Sequence, residues 1–448
     1  MNQKHISFLL SFLFFFPSLL SAQDGGSKGL KDCILYALEH NYNLRMTRFD
    51  EYITKKEAQY LVGLGLPQIS ASVDLQDNIK RPQFIFSFVP GQPAQKVPVG
   101  QQWQHNANVQ FSQLIFDATF LLGTQAAKEY VNLSKINTQR TETELIANIT
   151  SAYYNACRVK ESLSLLEANV KRLEKRFKDT EAMYQNGLVE KTDLERVQII
   201  LNNIKTEQRK YERLVGLSVD MLKFQMGMDI ETALNVTTNL ANVDVENEKL
   251  DVASKLDFSK HFEYRLIEQQ SLLEDYNRRR YIAQYYPSLV GFGYYQWNMQ
   301  ASDIIDFSET ATFGQSAIGL KLRVPIFDGL RTNVKVQQSR ATIDRIQVSK
   351  EMFESGAKLK LNNAVTEVQN SKEAYLSQKA NVALAKSVYD KTMLKYKEGI
   401  GSSLDLNEAE TAMKEAENNL LNAKFDYLQA KLQLMQARGE LRETYLEK

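Results

Sequence analysis

The segment from Leu404 to Leu441 reads LDLNEAETAMKEAENNLLNAKFDYLQAKLQLMQARGEL. Its apolar residues recur at alternating spacings of three and four, at Leu406, Ala409, Met413, Ala416, Leu420, Ala423, Tyr427, Ala430, Leu434, Ala437 and Leu441. This heptad spacing predicts a helix that packs against another helix along one continuous stripe. Alanine at every second stripe position lets the two backbones approach closely. The segment therefore predicts a coiled coil.

A second heptad series and the positions of the prolines predict that the helices are very long. The series comprises Val368, Tyr375, Val382, Tyr389 and Tyr396, and strict sevens impose a left-handed supercoil. Proline breaks helix interiors, and the sequence has none between Pro98 and Pro287 and none after Pro325. Residues 328–398 could form one helix of about 105 Å at 1.5 Å per residue. The helices alone are equally consistent with an ordinary coiled-coil protein.

Two windows of different character, at about 66–116 and 286–325, interrupt the helical sequence. They hold both tryptophans, and their polar and apolar residues alternate. This alternation predicts four strands, at about 67–78, 105–116, 287–297 and 315–325. Each strand has one apolar and one polar side, which is typical of outer-membrane barrel strands, although a soluble hairpin alternates too.

The two halves of the chain resemble each other. Tyr184–Gly187 matches Tyr396–Gly399, Asp193 matches Asp405, and both pairs are 212 residues apart. Each half is predicted to contain a helix, two strands, a long helix, a tight turn and a last helix. The first repeat covers 23–230 with its turn at 187–190, and the second covers 261–448 with its turn at 399–403. Residues 231–260 lie between them and break the heptads.

The N-terminus and the composition restrict the class of protein. A basic start, an apolar run and small residues predict a secretory signal peptide over residues 1–22. No later stretch approaches the roughly 20 apolar residues of a membrane helix, so an exported chain that enters a membrane must do so as strands. The net charge of +1, with both signs interspersed, argues against binding of nucleic acid. Cys33 and Cys157 are interpreted as packing residues rather than as a disulfide.

The sequence gives little sign of catalysis, of a metal site or of a cofactor. The four histidines are scattered, and we find no nucleophile–base pair, so an enzyme is not expected. Met221, Met226 and Met228 are better explained by packing than by soft-metal binding. Asp405 and Glu408 share one face at the start of the last helix, where acids favour the helix dipole and Ser402 or Ser403 can act as the cap.

The ordered combination of these features resembles the TolC family of outer-membrane efflux proteins. It comprises two halves, a proline at each helix-to-strand junction, Phe-Asp at each strand-to-helix junction, and a Tyr-x-x-Gly turn near each far helical end. The resemblance implies an α+β membrane protein that forms a homotrimer. Its twelve shared strands form one outer-membrane β-barrel, and its coiled-coil helices form a hollow periplasmic α-barrel. Independently of the family, four strands are too few to close a barrel that lipid would tolerate.

The resemblance also implies roles for individual residues. Asp405 and Glu408 would surround the pore constriction, and Asp193 and Tyr396 would latch neighbouring helices in the closed state. Where some relatives carry an arginine in this latch, the chain has Gly401, so the latch is expected to be weaker or differently built. Residues 231–260 would form the belt around the middle of the tunnel, or else a solvated linker.

Two further sets of residues are expected to face partners. The docking turns comprise Gly187, Leu188, Val189, Gly399, Ile400 and Gly401. They are expected to bind a periplasmic adaptor, which connects the channel to an inner-membrane pump. Trp103 and Trp297, each at the loop end of a strand, are expected at the membrane interface.

The predicted function is a passive exit duct of an efflux or type I secretion system, set in outer-membrane lipid. The alternative is a periplasmic coiled-coil structural protein without a pore. The amphipathic strands favour the duct, because a structural rod has no need of them. A wide polar duct selects little, so the pump and adaptor are expected to choose the cargo.

Overall fold

The computed structural model describes residues 27–86, 95–237, 245–246, 256–304 and 311–446. The predicted signal peptide at 1–22 and much of the segment at 231–260 lie outside these residues. The helices are α1 (Leu30–His40), α2 (Tyr42–Gly63), α3 (Ala118–Gln185), α4 (Lys191–Met226), α5 (Phe262–Ala283), α6 (Arg331–Lys397), α7 (Ser403–Arg438) and α8 (Leu441–Leu446). The strands are β1 (Ser27–Lys28), β2 (Gln68–Asp77), β3 (Gln83–Phe86), β4 (Gln95–Pro98), β5 (Trp103–Phe116), β6 (Asn235–Val236), β7 (Ser288–Ala301) and β8 (Ala311–Arg323).

The predicted long helices are confirmed, and their lengths recur in the two halves. α3 has 68 residues and α6 has 67, while α4 and α7 have 36 each. The shorter helices α2 and α5 have 22 each. This recurrence is consistent with the predicted repeat. None of the described helices is both long and apolar enough to cross a membrane.

The chain divides into two compact units, each drawing on both halves. Among the described residues, the first comprises 27–41, 145–237, 245–246 and 368–432, and the second comprises 42–86, 95–144, 256–304, 311–367 and 433–446. The long helices α3, α6 and α7 contribute residues to both units.

Helix packing forms the core of the first unit. Leu166, Val170 and Leu173 of α3 pack with Leu201 and Ile204 of α4. A second cluster joins α6 to α7 and is described below. Every residue of the apolar stripe that begins at Leu406 is buried except Leu420, as the heptad predicts. Cys33 and Cys157 are buried free thiols, and burial raises the pKa of each to about 12.

A four-stranded antiparallel sheet lies in the second unit, in the order β2-β5-β7-β8. These are the four predicted strands, with ends that differ by a few residues. β7 runs to Ala301 instead of 297, and β8 starts at Ala311 instead of 315. A short hairpin of β3 and β4 was not predicted. Within the described residues, the outer edges of β2 and β8 pair with no further strand.

The register gives the sheet two chemically different faces. Ile69, Val109 and Phe111 project on the same side as Ile318 and Leu320. The apolar side chains of this face are strongly exposed, with Ile69 at 73%, Val73 at 81% and Ile318 at 91%. The opposite face carries Ser70, Ser72, Asn106, Asn108, Gln110, Gln296, Asn298 and Gln315. Because β-strands alternate their side chains, this separation follows directly from the sequence pattern.

The register places both tryptophans on the apolar face but at different heights. Trp103 begins β5 and pairs with Asp77 and Ala301, at the loop end of the sheet as predicted. Trp297 pairs with Ala107, four residues further in, or about 14 Å along the strand. The prediction that Trp297 lies at a strand end is therefore wrong. The strand continues because Asn298, Met299 and Gln300 keep their pairing with both β5 and β8.

Four glycines end the long helices with the same geometry. Gly187, Gly227, Gly399 and Gly439 have φ between 71° and 75°. Each donates its N–H to the carbonyl three residues back, and the next residue bonds to the carbonyl five residues back, which defines a Schellman motif. The surroundings differ, because a Cβ on Gly187 would meet nothing within 4 Å, whereas one on Gly227 would lie 2.3 Å from the carbonyl oxygen of His40.

This contrast predicts unequal costs for the same substitution at two turns of the first unit. Gly187→Ala should lose roughly 1–2 kcal/mol, the strain of a left-handed alanine. Gly227→Ala should lose at least about 1–3 kcal/mol more, because its methyl group also overlaps the backbone at His40. Denaturant midpoints of the two variants, measured side by side in detergent, give the comparison. Equal losses would show that contact with His40 does not hold this end of α4.

Candidate functional site at the helical turns

The two turns that join the paired long helices have nearly identical geometry. In the first, Gly187 N–H donates to the Tyr184 carbonyl and Leu188 N–H donates to the Met183 carbonyl, both at 2.9 Å. In the second, Gly399 N–H donates to the Tyr396 carbonyl at 3.1 Å and Ile400 N–H to the Lys395 carbonyl at 3.0 Å. The Tyr-x-x-Gly pattern therefore marks the C-terminal cap of α3 and that of α6.

Each turn presents an apolar side chain. Leu188 is 70% exposed and Ile400 is 78% exposed, and each directly follows the glycine of its turn. Both residues take part in the cap only through the backbone N–H. Their side chains are not needed for the cap, and their exposure leaves them accessible to a partner protein.

The start of α7 carries the predicted acidic pair. Leu404 N–H donates to Ser402 Oγ at 3.0 Å, so Ser402 is the cap that the sequence suggested. Asp405 and Glu408 follow and are both exposed. Because a serine already caps the helix, neither carboxylate is needed for that task. Their charges remain available to a solute.

Tyr396 lies in an apolar cluster rather than on the surface. It packs with Tyr389 of α6 and with Leu406, Ala409 and Met413 of α7. Its hydroxyl is buried and has no hydrogen-bond partner within the described part of the chain. The Oδ1 atom of Asp193 lies 3.8 Å from Nη1 of Arg196 on the same helix. Among the described residues, no hydrogen bond or ion pair joins Asp193 to Tyr396.

Gly401 has a steric reason to lack a side chain. A Cβ at this position would lie 2.8 Å from the backbone nitrogen of Tyr396 and 3.0 Å from the carbonyl carbon of Lys395. The turn thus folds back on the end of α6 too closely for an arginine. Gly401 replaces the arginine of some relatives because the backbone path of this turn leaves no room for a side chain.

A polar series between α3 and α7, centred on the buried Arg176, was not predicted. Arg176 is 3% exposed, and its guanidinium donates to Glu410 and Asn407 of α7. Arg172 binds Glu417 through both of its terminal nitrogens, at 3.1 and 3.4 Å. The series had a readable signal: Ser162, Asn169 and Arg176 recur every seven residues on α3, as Glu410, Glu417 and Lys424 do on α7. Because these residues are polar, the apolar period that predicts the coiled coil does not include them.

The described residues contain no cluster of three or more His, Cys, Asp or Glu side chains that could hold a metal ion. What this region offers is two capped turns with exposed apolar tips and an exposed pair of carboxylates. Such an arrangement can bind other proteins and attract cations.

Comparison with known proteins agrees with this geometry. The family model described as outer membrane efflux protein matches residues 37–227 and 267–440. Nodulation protein T of Rhizobium leguminosarum bv. trifolii is 21% identical over 310 residues, which cover 67% of this chain and 64% of that protein. Outer membrane protein TolC of Salmonella enteritidis is 22% identical over 320 residues, which cover 69% of this chain and 63% of that protein. The chain thus spans slightly less than two thirds of the length of these curated relatives.

The fold has a counterpart among solved structures. The CmeC outer membrane channel of Campylobacter jejuni matches with a TM-score of 0.72 at 15% identity, over 93% of this chain and 87% of that one. The resemblance inferred from the sequence is confirmed. Because the family model covers well over half of its length, the chain belongs to the outer membrane efflux protein family, a family of channel proteins rather than enzymes, and its location is the outer membrane.

Proposed function

We propose that three copies of this chain assemble into a passive exit duct of a tripartite efflux or secretion system. The sheet of each copy contributes four strands to a shared twelve-stranded barrel in the outer membrane. The long helices form a tunnel that extends into the periplasm. Cargo reaches the tunnel from an inner-membrane pump through a periplasmic adaptor.

The observation that carries this proposal is the sheet of the second unit. One face exposes Ile69, Val73 and Ile318 almost fully, which would be unfavourable in water and is favourable in lipid. The outer edges of β2 and β8 have no partner strand among the described residues. In a bilayer each unpaired backbone group costs several kcal/mol, so the sheet must close on further copies. Pairing β8 of one copy with β2 of the next supplies that closure and leaves the polar face around the lumen.

The tryptophans fit this placement as residues of the lipid-facing side. Trp103, at the loop end, belongs at the headgroup level where indoles are favoured. Trp297 lies about 14 Å along the strand from that level and belongs in the hydrocarbon region. A periplasmic coiled-coil rod without a pore, the alternative, would have no use for this apolar face.

The start of α7 is the proposed constriction of the tunnel. Three copies of Asp405 and Glu408 would form a ring of six exposed carboxylates. Like charges about 6 Å apart repel by roughly 0.7 kcal/mol per pair even at the dielectric of water. Such a ring attracts cations and binds multivalent ones.

Tyr396 and Asp193 are our candidates for holding neighbouring helices in the closed state. The Tyr396 hydroxyl is enclosed by its own chain, so a contact with a neighbouring helix requires the side chain to turn outward. The close backbone at Gly401 leaves no room for a guanidinium, so the latch would consist of the tyrosine and the carboxylate alone.

The acidic ring predicts a change in single-channel behaviour. Replacing Asp405→Asn together with Glu408→Gln should lower cation selectivity and weaken block by trivalent cations at least about tenfold, or 1.4 kcal/mol. The measurement is conductance in planar bilayers with a hexammine cobalt titration. Glu195→Gln, which changes an exposed acid on α4, is the matched control and should leave the block unchanged. Tyr396→Phe should raise conductance while the block persists. Parental block in the double variant would exclude these acids from the constriction.

The docking turns can be tested without straining their backbones. Leu188→Glu combined with Ile400→Glu places charge on two exposed apolar tips and keeps the glycines. We expect export to be lost, because the adaptor would have to bury these charges, while the assembly stays intact. Leu188→Met with Ile400→Val keeps the tips apolar and should export normally. Normal export by the charged variant would place the docking surface elsewhere.

A further inference from the structure

Arg176 is a buried guanidinium close to the end of α3. Its side chain is only 2% exposed. Nη1 donates to Glu410 Oε2 at 2.5 Å and Nη2 donates to Asn407 Oδ1 at 2.6 Å. Both partners lie on α7, within two turns of its start. A buried arginine with a carboxylate and an amide oxygen in fixed directions is an orientation-specific contact.

The neighbouring residues extend this contact into a ladder. Arg172, one turn earlier on α3, binds Glu417 of α7 with both terminal nitrogens and also contacts Asn169. The ladder thus joins α3 and α7 at two levels. Arg172 is the more exposed of the two arginines, with 31% of its side chain accessible. The tighter constraint therefore lies at Arg176, nearer to the turn.

The residues held by Arg176 lie opposite the proposed constriction residues. An α-helix advances about 100° per residue, so the direction midway between Asn407 and Glu410 lies about 160° from the direction midway between Asp405 and Glu408. Exposure agrees, because Asp405 and Glu408 are exposed, whereas Asn407 and Glu410 are only partly accessible. Ser403, which is buried, lies on the Arg176 side of the helix.

We propose that Arg176 is a positioning residue for the acidic entrance. By holding Asn407 and Glu410 against α3, it fixes the rotation of α7 about its own axis. Asp405 and Glu408 are thereby kept pointing away from α3, toward the proposed pore. A buried polar contact of this kind selects one register and one orientation of a helix pair, which apolar packing alone does less strictly. This inference rests on the proposed function of the two acids.

The test removes Arg176 and leaves all the constriction acids in place. In Arg176→Met, Glu410 loses its buried partner and turns toward water, and α7 rotates with it. Block by hexammine cobalt in planar bilayers should weaken at least about tenfold, although every copy of Asp405 and Glu408 is still present. The double variant Arg176→Glu with Glu410→Arg restores an ion pair between the same positions and should restore the block. Lys191→Met breaks an exposed ion pair close to the first turn and should have no effect.

A second readout reports rotation directly. Ser403→Cys places a thiol on the shielded side of α7. Cys33 and Cys157 are buried and their pKa values are raised, so a charged methanethiosulfonate reagent should react with the new thiol alone. The thiol of Ser403→Cys should be protected when Arg176 is present and labelled in the Arg176→Met background. It should be protected again when Arg176→Glu is combined with Glu410→Arg.

Parental block and continued protection in an assembled Arg176→Met channel would overturn the proposal. Failure of the exchanged pair to restore both would also overturn it, since loss of packing would then explain the effect. If Arg176→Met does not assemble, Asn407→Ala with Glu410→Gln removes the same contacts from α7 and is judged by the same criteria. Should the double amide variant of Asp405 and Glu408 also keep its block, the proposed constriction itself fails; if only Arg176→Met keeps it, the positioning role alone fails.

Discussion

Pairing of the sheet edges is the constraint on which the proposed assembly depends. A lipid environment accepts the exposed apolar face of the sheet, but it does not accept unpaired backbone groups along β2 and β8. The four strands of the described sheet are too few to close, and its edge strands are the first and last of the four. The proposed trimer, its lumen and its lipid-facing belt all follow from joining those edges between copies.

The long helices are the second component of the proposed assembly, and each ends at a defined glycine turn. Alanine and large apolar residues alternate along the α7 stripe, and α3 and α6 run for 68 and 67 residues without a proline. The glycine turns stop the helices sharply and leave Leu188 and Ile400 at the tips. The polar contacts of Arg172 and Arg176 join α3 to α7 in the part of the helices near these turns. Apolar residues thus pack along the long helices, and we propose that polar contacts define their orientation near the proposed entrance.

Much of this organisation could be predicted from the sequence because it depends on local period. The heptads, the alternating strands and the Tyr-x-x-Gly turns could each be predicted, and Ser402 was one of the two predicted caps. The features that could not be predicted from the sequence depend on which strands or helices pair with each other. The extension of β7 beyond Trp297 requires β5 and β8 on either side, and the β3–β4 hairpin has too few residues to show a period. A latch through Tyr396 or Asp193 would require contacts between helices of different copies, and such contacts leave no period in the sequence.

In the proposed trimer, β2 of one copy pairs with β8 of the next. Within one chain these strands are separated by β5 and β7, or about 14 Å at the usual strand spacing. A disulfide requires Cα atoms closer than about 7 Å, so cysteines in β2 and β8 cannot join within a chain. The direct measurement is oxidative cross-linking of outer-membrane preparations with Ser72→Cys in β2 and a cysteine scanned over Gln315, Ala317 and Gly319 in β8. We expect covalent dimers and trimers, and no larger species, at one register of the scan. Absence of cross-linked species at every register, or ladders beyond the trimer, would contradict it.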